Sequence, residues 1–121
     1  MAKVIHFEIP ADNPERAVKF YKEVFGWKID KWGAVDYWLV TAGEDKEPGI
    51  NGAIGKRNEN LRVTTDTISV ASFEDAVKKI GEAGGKVLMP KMAVPGVGYM
   101  TYCKDTEGNA FGIMQTDPNA K

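Results

Sequence analysis

Apolar residues recur at helical spacing in two stretches of the chain, and each stretch is bounded by residues that start and end helices. The first stretch has Asn13 placed to cap the free amides, Pro14 at the first helical position and Gly26 suited to a left-handed end. These signals predict an amphipathic helix between Asn13 and Gly26. Its apolar stripe is expected to comprise Ala17, Val18, Tyr21, Val24 and Phe25.

The second stretch, Ser72 to Gly85, repeats this design, with Ser72 and Asp75 spaced as an N-terminal capping box. A shift of 59 residues superposes the two stretches with six identities in 14 positions, and it places Gly26 on Gly85. Shared helix preferences explain part of this likeness, but the matched caps and flanks favour an internal duplication.

One short apolar strand precedes each predicted helix, and three strand-like runs follow it. The runs are residues 4–9, 27–32, 35–42 and 50–57 in the first half, and 63–70, 86–94, 97–104 and 110–116 in the second. Each half therefore predicts a β-α-β-β-β module. We expect an α+β fold with a single domain, 1–121, in which two tandem modules, 1–57 and 62–116, form a mixed sheet that lines a cleft.

The alternation in the first strand separates two faces. Ile5, Phe7 and Ile9 are expected under the helix, whereas His6 and Glu8 point to the other side. This second face is where we expect the cleft.

Composition excludes several classes of protein. Hydrophobic residues make up 43% and charged residues 27%, which is typical of a globular chain. The 16 Lys and Arg are balanced by 17 Asp and Glu, so nucleic acid is not an expected partner. No apolar run is long enough to span a bilayer, and the N-terminus lacks a signal-peptide pattern, so we expect no membrane partner and a cytoplasmic location. The single cysteine, Cys103, is expected to be a buried small hydrophobe.

Three motifs carry a family resemblance: the first strand with His6, the segment FYKEVFGW at Phe20 to Trp27, and the closing DTEGNAFGIMQ at Asp105 to Gln115. Together with the paired modules they resemble the vicinal oxygen chelate superfamily, which includes glyoxalase I, extradiol dioxygenases and bleomycin-resistance proteins. The resemblance covers nearly the whole chain and implies the paired-module fold, but it does not specify an activity.

In metal-dependent members of that superfamily, the first and last strand of each module supply one metal ligand each. The resemblance places His6 at the first of these positions and Thr65, or Thr67 if the strand slips by one pleat, at its counterpart. The last strand of the first module offers no carboxylate or imidazole, and Gly112 occupies the closing position. Threonine is not a usual ligand for a divalent transition metal, so we expect no metal and no cofactor.

His6 then has two interpretations. It is either a general acid or base beside Glu8, or a structural histidine hydrogen-bonded at the edge of its strand. The two titratable groups would be electrostatically coupled if both were buried.

Several side chains are expected to form an apolar wall for a flat or aliphatic organic ligand. Trp38 is favoured over Tyr37 for the cleft, because Trp38 shares a face with Asp36 and Val40. The predicted ligand-binding residues are His6, Trp38, Thr65, Tyr102, Gly112 and Met114. Residues 94–100, which contain Pro95, Gly96 and Gly98, are either a mobile lip over the cleft or an ordinary strand connection.

The sequence therefore predicts a metal-independent protein that binds or sequesters a small organic ligand. The alternative is a lyase or isomerase of the same superfamily that uses His6 or Glu8 as a base and Tyr102 as a polarising group. An interaction module without a ligand is a third hypothesis. The resemblance implies a homodimer with a twofold interface, and the composition agrees, because a single chain would struggle to bury all its aromatic residues.

Overall fold

The computed structural model describes residues 2–121, which divide into two units. The first module comprises residues 6–65, and the second comprises 66–121 together with the start of the chain up to Ile5. In chain order the first five elements are β1 (Val4–Ala11), α1 (Pro14–Phe25), β2 (Lys28–Lys31), β3 (Tyr37–Thr41) and β4 (Gly52–Lys56). The remaining six are β5 (Thr65–Ser69), α2 (Phe73–Glu82), β6 (Lys86–Val87), β7 (Met92–Val94), β8 (Gly98–Lys104) and β9 (Ala110–Thr116).

Each module has one helix and a sheet of mixed strand direction. In the first module the strand order is β2-β3-β4-β1, with β1 and β4 parallel and the other neighbours antiparallel. In the second the order is β5-β9-β8-β6, with β5 and β9 parallel and β7 also paired to β8. These sheets confirm the predicted α+β class and the repeated strand-helix pattern.

Both helices begin at the predicted capping residues. The side chain of Asn13 accepts a hydrogen bond from the Arg16 amide at 3.1 Å, and the Ser72 hydroxyl accepts one from the Asp75 amide at 3.2 Å. The helix ends differ from the prediction. Gly26 is left-handed after α1, as expected, but after α2 the left-handed residue is Gly84 rather than Gly85.

The core of each module lies between its helix and one face of its sheet. In the first module Val18 packs with Trp38, Val40 and Ile54, while Phe7 and Ile9 pack against the edge of this cluster. In the second module Phe73, Cys103 and Ile113 form a buried cluster, and Ala76, Val77 and Ile80 of α2 pack against it. The expected burial of Cys103 is confirmed, and burial raises the pKa of its thiol to about 11.

Parts of the predicted apolar stripe are not buried. Val24 and Phe25, at the end of α1, are exposed, and so is Ile5 at the start of β1. The pattern identified the correct helix face, but α1 is only 12 residues long and its last turn extends past the cluster that buries Val18.

The predicted strand 86–94 is two short strands. Residues 88–91 interrupt it, and Pro90 within them has no amide to donate to a ladder. The β7–β8 connection is a tight turn in which Gly96 has a φ of 75°. Its amide donates to the Ala120 carbonyl, and the Asp117 amide donates to the Val97 carbonyl. The segment 94–100 is therefore an ordinary strand connection held by the end of the chain.

Between residues 2 and 121 no helix has the length and apolar character that would let it cross a membrane.

Candidate functional site

The strand register of the first module places two titratable residues on the face away from α1. Glu8 pairs with Ala53 of β4, and Ala53 pairs with Leu39 of β3, so these three form one row across the sheet. His6 lies two residues before Glu8 and shares its face, because successive side chains in a strand alternate. Phe7 and Ile9 occupy the opposite face, packed in the core.

A hydrogen bond between two side chains organises this face. The imidazole Nε2 of His6 lies 3.0 Å from the hydroxyl of Tyr37, although the two residues are 31 positions apart in the chain. The ring of Trp32 lies 5.9 Å from the ring of Tyr37, centroid to centroid. We define the His6 face by His6, Glu8, Trp32, Tyr37 and Leu39.

Burial sets the charge state of His6. Removal from water lowers the pKa of its imidazole below 6.5, and the nearby Glu8 partly opposes that shift. Glu8 itself is buried, with only 4% of its surface exposed. His6 is therefore mainly neutral at pH 7, so one ring nitrogen carries a proton and the other can accept one.

The orientation predicted for Trp38 is wrong. Trp38 is buried in the core with Val40 and Ile54, on the helix side of the sheet, and Tyr37 faces His6 instead. Asp36 misled the prediction because it precedes β3, which begins at Tyr37. Within the strand, the apolar Val40 shares the side of Trp38, and this was the signal for core packing.

The second module carries a different set of side chains on the corresponding face. Thr67 pairs with Gly112, and Gly112 pairs with Tyr102, so these residues form one row across β5, β9 and β8. The next row consists of Ser69, Met114 and Met100. The predicted neighbours Tyr102, Gly112 and Met114 therefore share one face of the sheet, on which Tyr102 and Gly112 are buried and Met114 is half-buried.

Thr65 lies two residues before Thr67 in β5, so the two side chains share a face of this strand. It is almost fully buried, and its hydroxyl donates a hydrogen bond of 2.8 Å to the Val63 carbonyl. Thr67 is the threonine beside Gly112, and its hydroxyl oxygen lies 2.9 Å from where a β-carbon on Gly112 would stand. Of the two alternatives for this strand, the structure places Thr67 in the row.

A shallow cavity of about 160 Å³ lies apart from the His6 face residues, in the β3–β4 loop between Ala42 and Asn51. Its shape comes from contacts within the loop. The Ala42 amide donates to the Asn51 side chain, and the Glu44 amide donates to the Glu47 carboxylate, both at 2.9 Å. None of the predicted site residues lines this cavity.

The family model of the Glyoxalase/Bleomycin resistance protein/Dioxygenase superfamily matches residues 3–113. The chain belongs to this superfamily. A glyoxylase-like domain-containing protein of Didymella fabae is 32% identical over 113 residues, which is 88% of each chain. The protein CFP32 of Mycobacterium bovis is 26% identical over 91% of this chain, and the match spans only 44% of CFP32.

Solved structures agree on the fold of this superfamily member. A methylmalonyl-CoA epimerase in complex with methylmalonyl-CoA and NH4+ is similar in fold, with a TM-score of 0.69. The match covers 100% of this chain and 99% of the epimerase chain. Its sequence identity is 12%, so the likeness concerns the fold alone.

The residues at the superfamily's metal positions do not fit a divalent transition metal. Among residues 2–121 no group of three His, Cys, Asp or Glu side chains is placed to hold a metal ion. Gly112 offers no side-chain donor atom, and Thr67 fills the space that a longer side chain would need. In the first module the strand β4 contributes only glycine, alanine, isoleucine and lysine. Among the described residues, His6 and Glu8 therefore have no third His, Cys, Asp or Glu placed to complete a metal site with them.

Sequence reasoning missed two members of the His6 face, Tyr37 and Trp32. Tyr37 shares parity with Leu39 and Thr41, and Thr41 is the polar signal that could have marked this side of β3. Trp32 follows β2, and its amide donates to the Tyr37 carbonyl, so it extends the strand pairing by one residue. No local pattern indicates a bond between His6 and Tyr37, because it depends on how β1, β4 and β3 are ordered.

Proposed function

We propose that this superfamily member binds a small organic molecule on the His6 face without a metal ion. The observation that carries this proposal is the bond between His6 and Tyr37 beside the buried Glu8. A neutral imidazole and a phenol hydroxyl can each donate and accept hydrogen bonds, so they suit a ligand with a carbonyl or hydroxyl group.

The apolar part of the His6 face supports a flat or aliphatic ligand. Trp32 and Leu39 are each 42% exposed, which is high for large apolar side chains on a face that also carries Tyr37. A ring stacked against Trp32 would cover apolar surface, while its polar substituent reached Tyr37 or His6.

In the second module we propose Thr67, Tyr102, Gly112 and Met114 as a second set of ligand contacts, of which Thr67 and Tyr102 are buried and Met114 is half-buried. Tyr102 supplies a phenol, and Met114 supplies a flexible thioether that adapts to irregular apolar shapes. Thr67 replaces Thr65 in this proposal, because the Thr67 hydroxyl lies against Gly112.

A second candidate function is proton transfer, as a lyase or isomerase. Glu8 is a buried carboxylate two residues from a mainly neutral histidine, and its charge acts on the pKa of that histidine. A carboxyl group and an imidazole on one face can remove a proton from a ligand carbon and return it. The likeness to an epimerase fold is compatible with this chemistry.

Thermal shift measurements on the chelator-treated protein test the binding proposal, with a panel of small aromatic and aliphatic aldehydes, ketones and hydroxy acids as probes. At least one compound class is expected to raise the melting temperature of the wild type. Tyr37→Phe keeps the ring but removes the hydroxyl, so it should weaken that shift. The matched control is Tyr99→Phe in the second module, which should leave the shift unchanged. Equal loss in both variants, or no shift across the panel, would contradict binding at the His6 face.

Isotope exchange separates binding from catalysis. Each compound that binds is incubated with the protein in D2O, and NMR follows exchange of the C–H next to its carbonyl group. If the protein transfers protons, the wild type should accelerate exchange, and Glu8→Gln should abolish the acceleration while the thermal shift remains. Binding without accelerated exchange would support the binding protein and contradict the enzyme.

A further inference from the structure

The outer strand of the first module, β2, adds an acidic side chain to the His6 face. Ile29 of β2 is buried in the core, so the residues on either side of it point to the opposite face of the sheet. Asp30 pairs with Leu39, which places this exposed aspartate beside a member of the His6 face. Trp32 lies two residues further along the same side of the chain. The outer end of the face thus combines a carboxylate, an indole ring and an apolar side chain.

The carboxylate of Asp30 is not used by the fold of its module. Its neighbour Lys31 turns to the other side of the sheet, where the ammonium lies 5.3 Å from the centre of the Trp38 ring and 4.0 Å from Asp36. None of the ion pairs within residues 2–121 includes Asp30. An exposed acid beside an exposed tryptophan is therefore open to a ligand.

The charges around Asp30 favour a cation over an anion. Lys28 shares the face, but it pairs with Thr41 on the side of Asp30 away from Trp32. The loop that follows Thr41, residues 42–51, carries three acids and one lysine. The positive charge of Lys28 thus lies beside a surplus of negative charge, and this end of the face is acidic overall.

A carboxylate and an indole ring together suit an ammonium group. Asp30 and Trp32 are two residues apart in an extended chain, which separates them by roughly 7 Å. A cation placed between them would lie within reach of the carboxylate and within about 6 Å of the centre of the indole ring, where the ring attracts it. A ligand carboxylate at the same place would be repelled by Asp30 and by the face of the ring.

We propose that the ligand of the His6 face carries an ammonium group, which is held between the Asp30 carboxylate and the Trp32 ring. This inference rests on the proposed function, since the other end of the same ligand presents its carbonyl or hydroxyl group to Tyr37 or His6. Tyr37 lies in β3, next to β2, so a ring placed over Leu39 brings both ends of a compact ligand within reach. The ligand class is therefore an organic amine with a carbonyl or hydroxyl group at its opposite end.

Three ketones of matched shape test the charge preference. They are para-trimethylammonioacetophenone, its neutral isostere para-tert-butylacetophenone, and para-carboxyacetophenone. NMR titration of the single histidine ring gives a dissociation constant for each compound and reports on binding at the His6 face itself. The ammonium compound should bind about threefold to tenfold more tightly than the tert-butyl compound. The carboxylate compound should bind most weakly, and these differences should shrink as salt is added.

Substitutions in and beside β2 test the assigned residues. Asp30→Asn keeps the shape of the side chain but removes its charge, so it should weaken binding of the ammonium compound by about threefold to fivefold and leave the tert-butyl compound unchanged. Trp32→Leu should also reduce the preference for the ammonium compound, because leucine has no ring to attract a cation. The matched control is Asp36→Asn, which removes the same charge from a carboxylate that lies near Lys31 instead. It should leave all three affinities unchanged.

The outcomes separate this inference from the proposed function. Equal affinities for the ammonium and tert-butyl compounds, with the His6 signal moving in both titrations, would overturn the cationic ligand and leave binding at the His6 face intact. Tightest binding by the carboxylate compound, weakened in Lys28→Gln, would overturn it as well. If the His6 signal moves with none of the three compounds, the inference and the proposed binding fail together. Circular dichroism confirms that each variant is folded.

Discussion

The two modules share one packing design and differ on the surfaces that this design leaves open. On the face away from the helix, the first module has the row Glu8, Ala53 and Leu39. The 59-residue shift maps Glu8 to Thr67 and Ala53 to Gly112, which form the equivalent row of the second module with Tyr102. His6 maps in the same way to Thr65. The titratable pair thus belongs to the first module alone.

The same contrast holds for the helices. Both begin with a capping side chain and bury one apolar face, but only α1 adds large apolar residues outside that face. The packing that folding requires is similar in the two modules, which differ in the side chains of the His6 face and in the exposed apolar residues of α1. Differences between the modules are therefore the best guide to function in this chain, and each can be tested by paired substitutions.

The largest effect on stability is expected from two glycines, one in each module, that lie beside the first strand of that module. A β-carbon on Gly52 would overlap both the carbonyl oxygen and the ring of Phe7, so Gly52→Ala should lower the free energy of unfolding by about 3 kcal/mol. The atoms nearest to a β-carbon on Gly112 belong to the Thr67 side chain, with the hydroxyl oxygen at 2.9 Å, so Gly112→Ala should cost about 1 kcal/mol. Urea denaturation measures both.

Gly81→Ala is the control for this pair. Among the described residues, no atom outside its own stretch of helix lies within 4 Å of the position that a β-carbon on Gly81 would take. Because alanine also favours the helix, this variant should gain roughly 0.5–1 kcal/mol. Equal losses of stability in Gly52→Ala and Gly112→Ala would contradict this prediction, which rests on the different atoms that the two β-carbons would meet.

A smaller effect is expected from lysines that cover aromatic rings. The Lys91 ammonium lies 4.5 Å from the centre of the Tyr99 ring, 5.3 Å from that of Phe73 and 2.9 Å from a Glu74 oxygen. Lys91→Met keeps most of the side-chain stem but removes these attractions, so it should cost roughly 1–2 kcal/mol in urea denaturation.

Lys31 is the counterpart in the first module, with one ring, Trp38, at 5.3 Å and Asp36 at 4.0 Å. Lys31→Met should cost about 0.5 kcal/mol. Lys46→Met, in an exposed loop, serves as the control and should be neutral. A larger loss from Lys31→Met than from Lys91→Met would reverse the predicted order.

The two helix caps are expected to contribute equally to the stability of their modules. Asn13→Ala and Ser72→Ala each remove one hydrogen bond to a free amide, so each should lower the free energy of unfolding by about 1 kcal/mol. The double variant should show the sum, because the caps belong to different modules and share no partner. A cost found at only one cap would mean that the modules differ in their packed design as well.

Most of the fold could be predicted from the sequence because its signals are local. Asn13, Ser72 and Gly26 mark helix ends through their own backbone and side-chain preferences, and alternation identified Phe7 and Ile9 as the core face of β1. The left-handed Gly84 was missed because two glycines are adjacent there, and either can adopt that conformation.

The candidate site was predictable only in part. His6 and Glu8 follow from alternation in one strand, but the bond to Tyr37 depends on strand order over 31 residues. Trp38 was assigned to the wrong side because Asp36, outside the strand, was counted as part of its polar face. The exposure of Phe20 and Phe25 depends on where the core ends along α1, which periodicity does not specify.

The smallest expected effect is a pH dependence confined to the first module. Burial lowers the pKa of His6 in the folded protein below 6.5, the value expected when the chain is unfolded. The unfolded chain therefore binds a proton first as the pH falls, so this part of the stability is complete above pH 6.5 and is lost as the pH drops to the folded pKa. The difference between the stabilities of wild type and His6→Gln isolates the contribution of His6, because the carboxylates titrate in both proteins.

Because the chain has one histidine, NMR can follow its ring signal without overlap. Glu8→Gln removes the charge that raises the pKa of His6, so the midpoint should move lower still. Wild-type titration at or above 6.5 would contradict the burial of His6, and an unchanged midpoint in Glu8→Gln would contradict its coupling to Glu8.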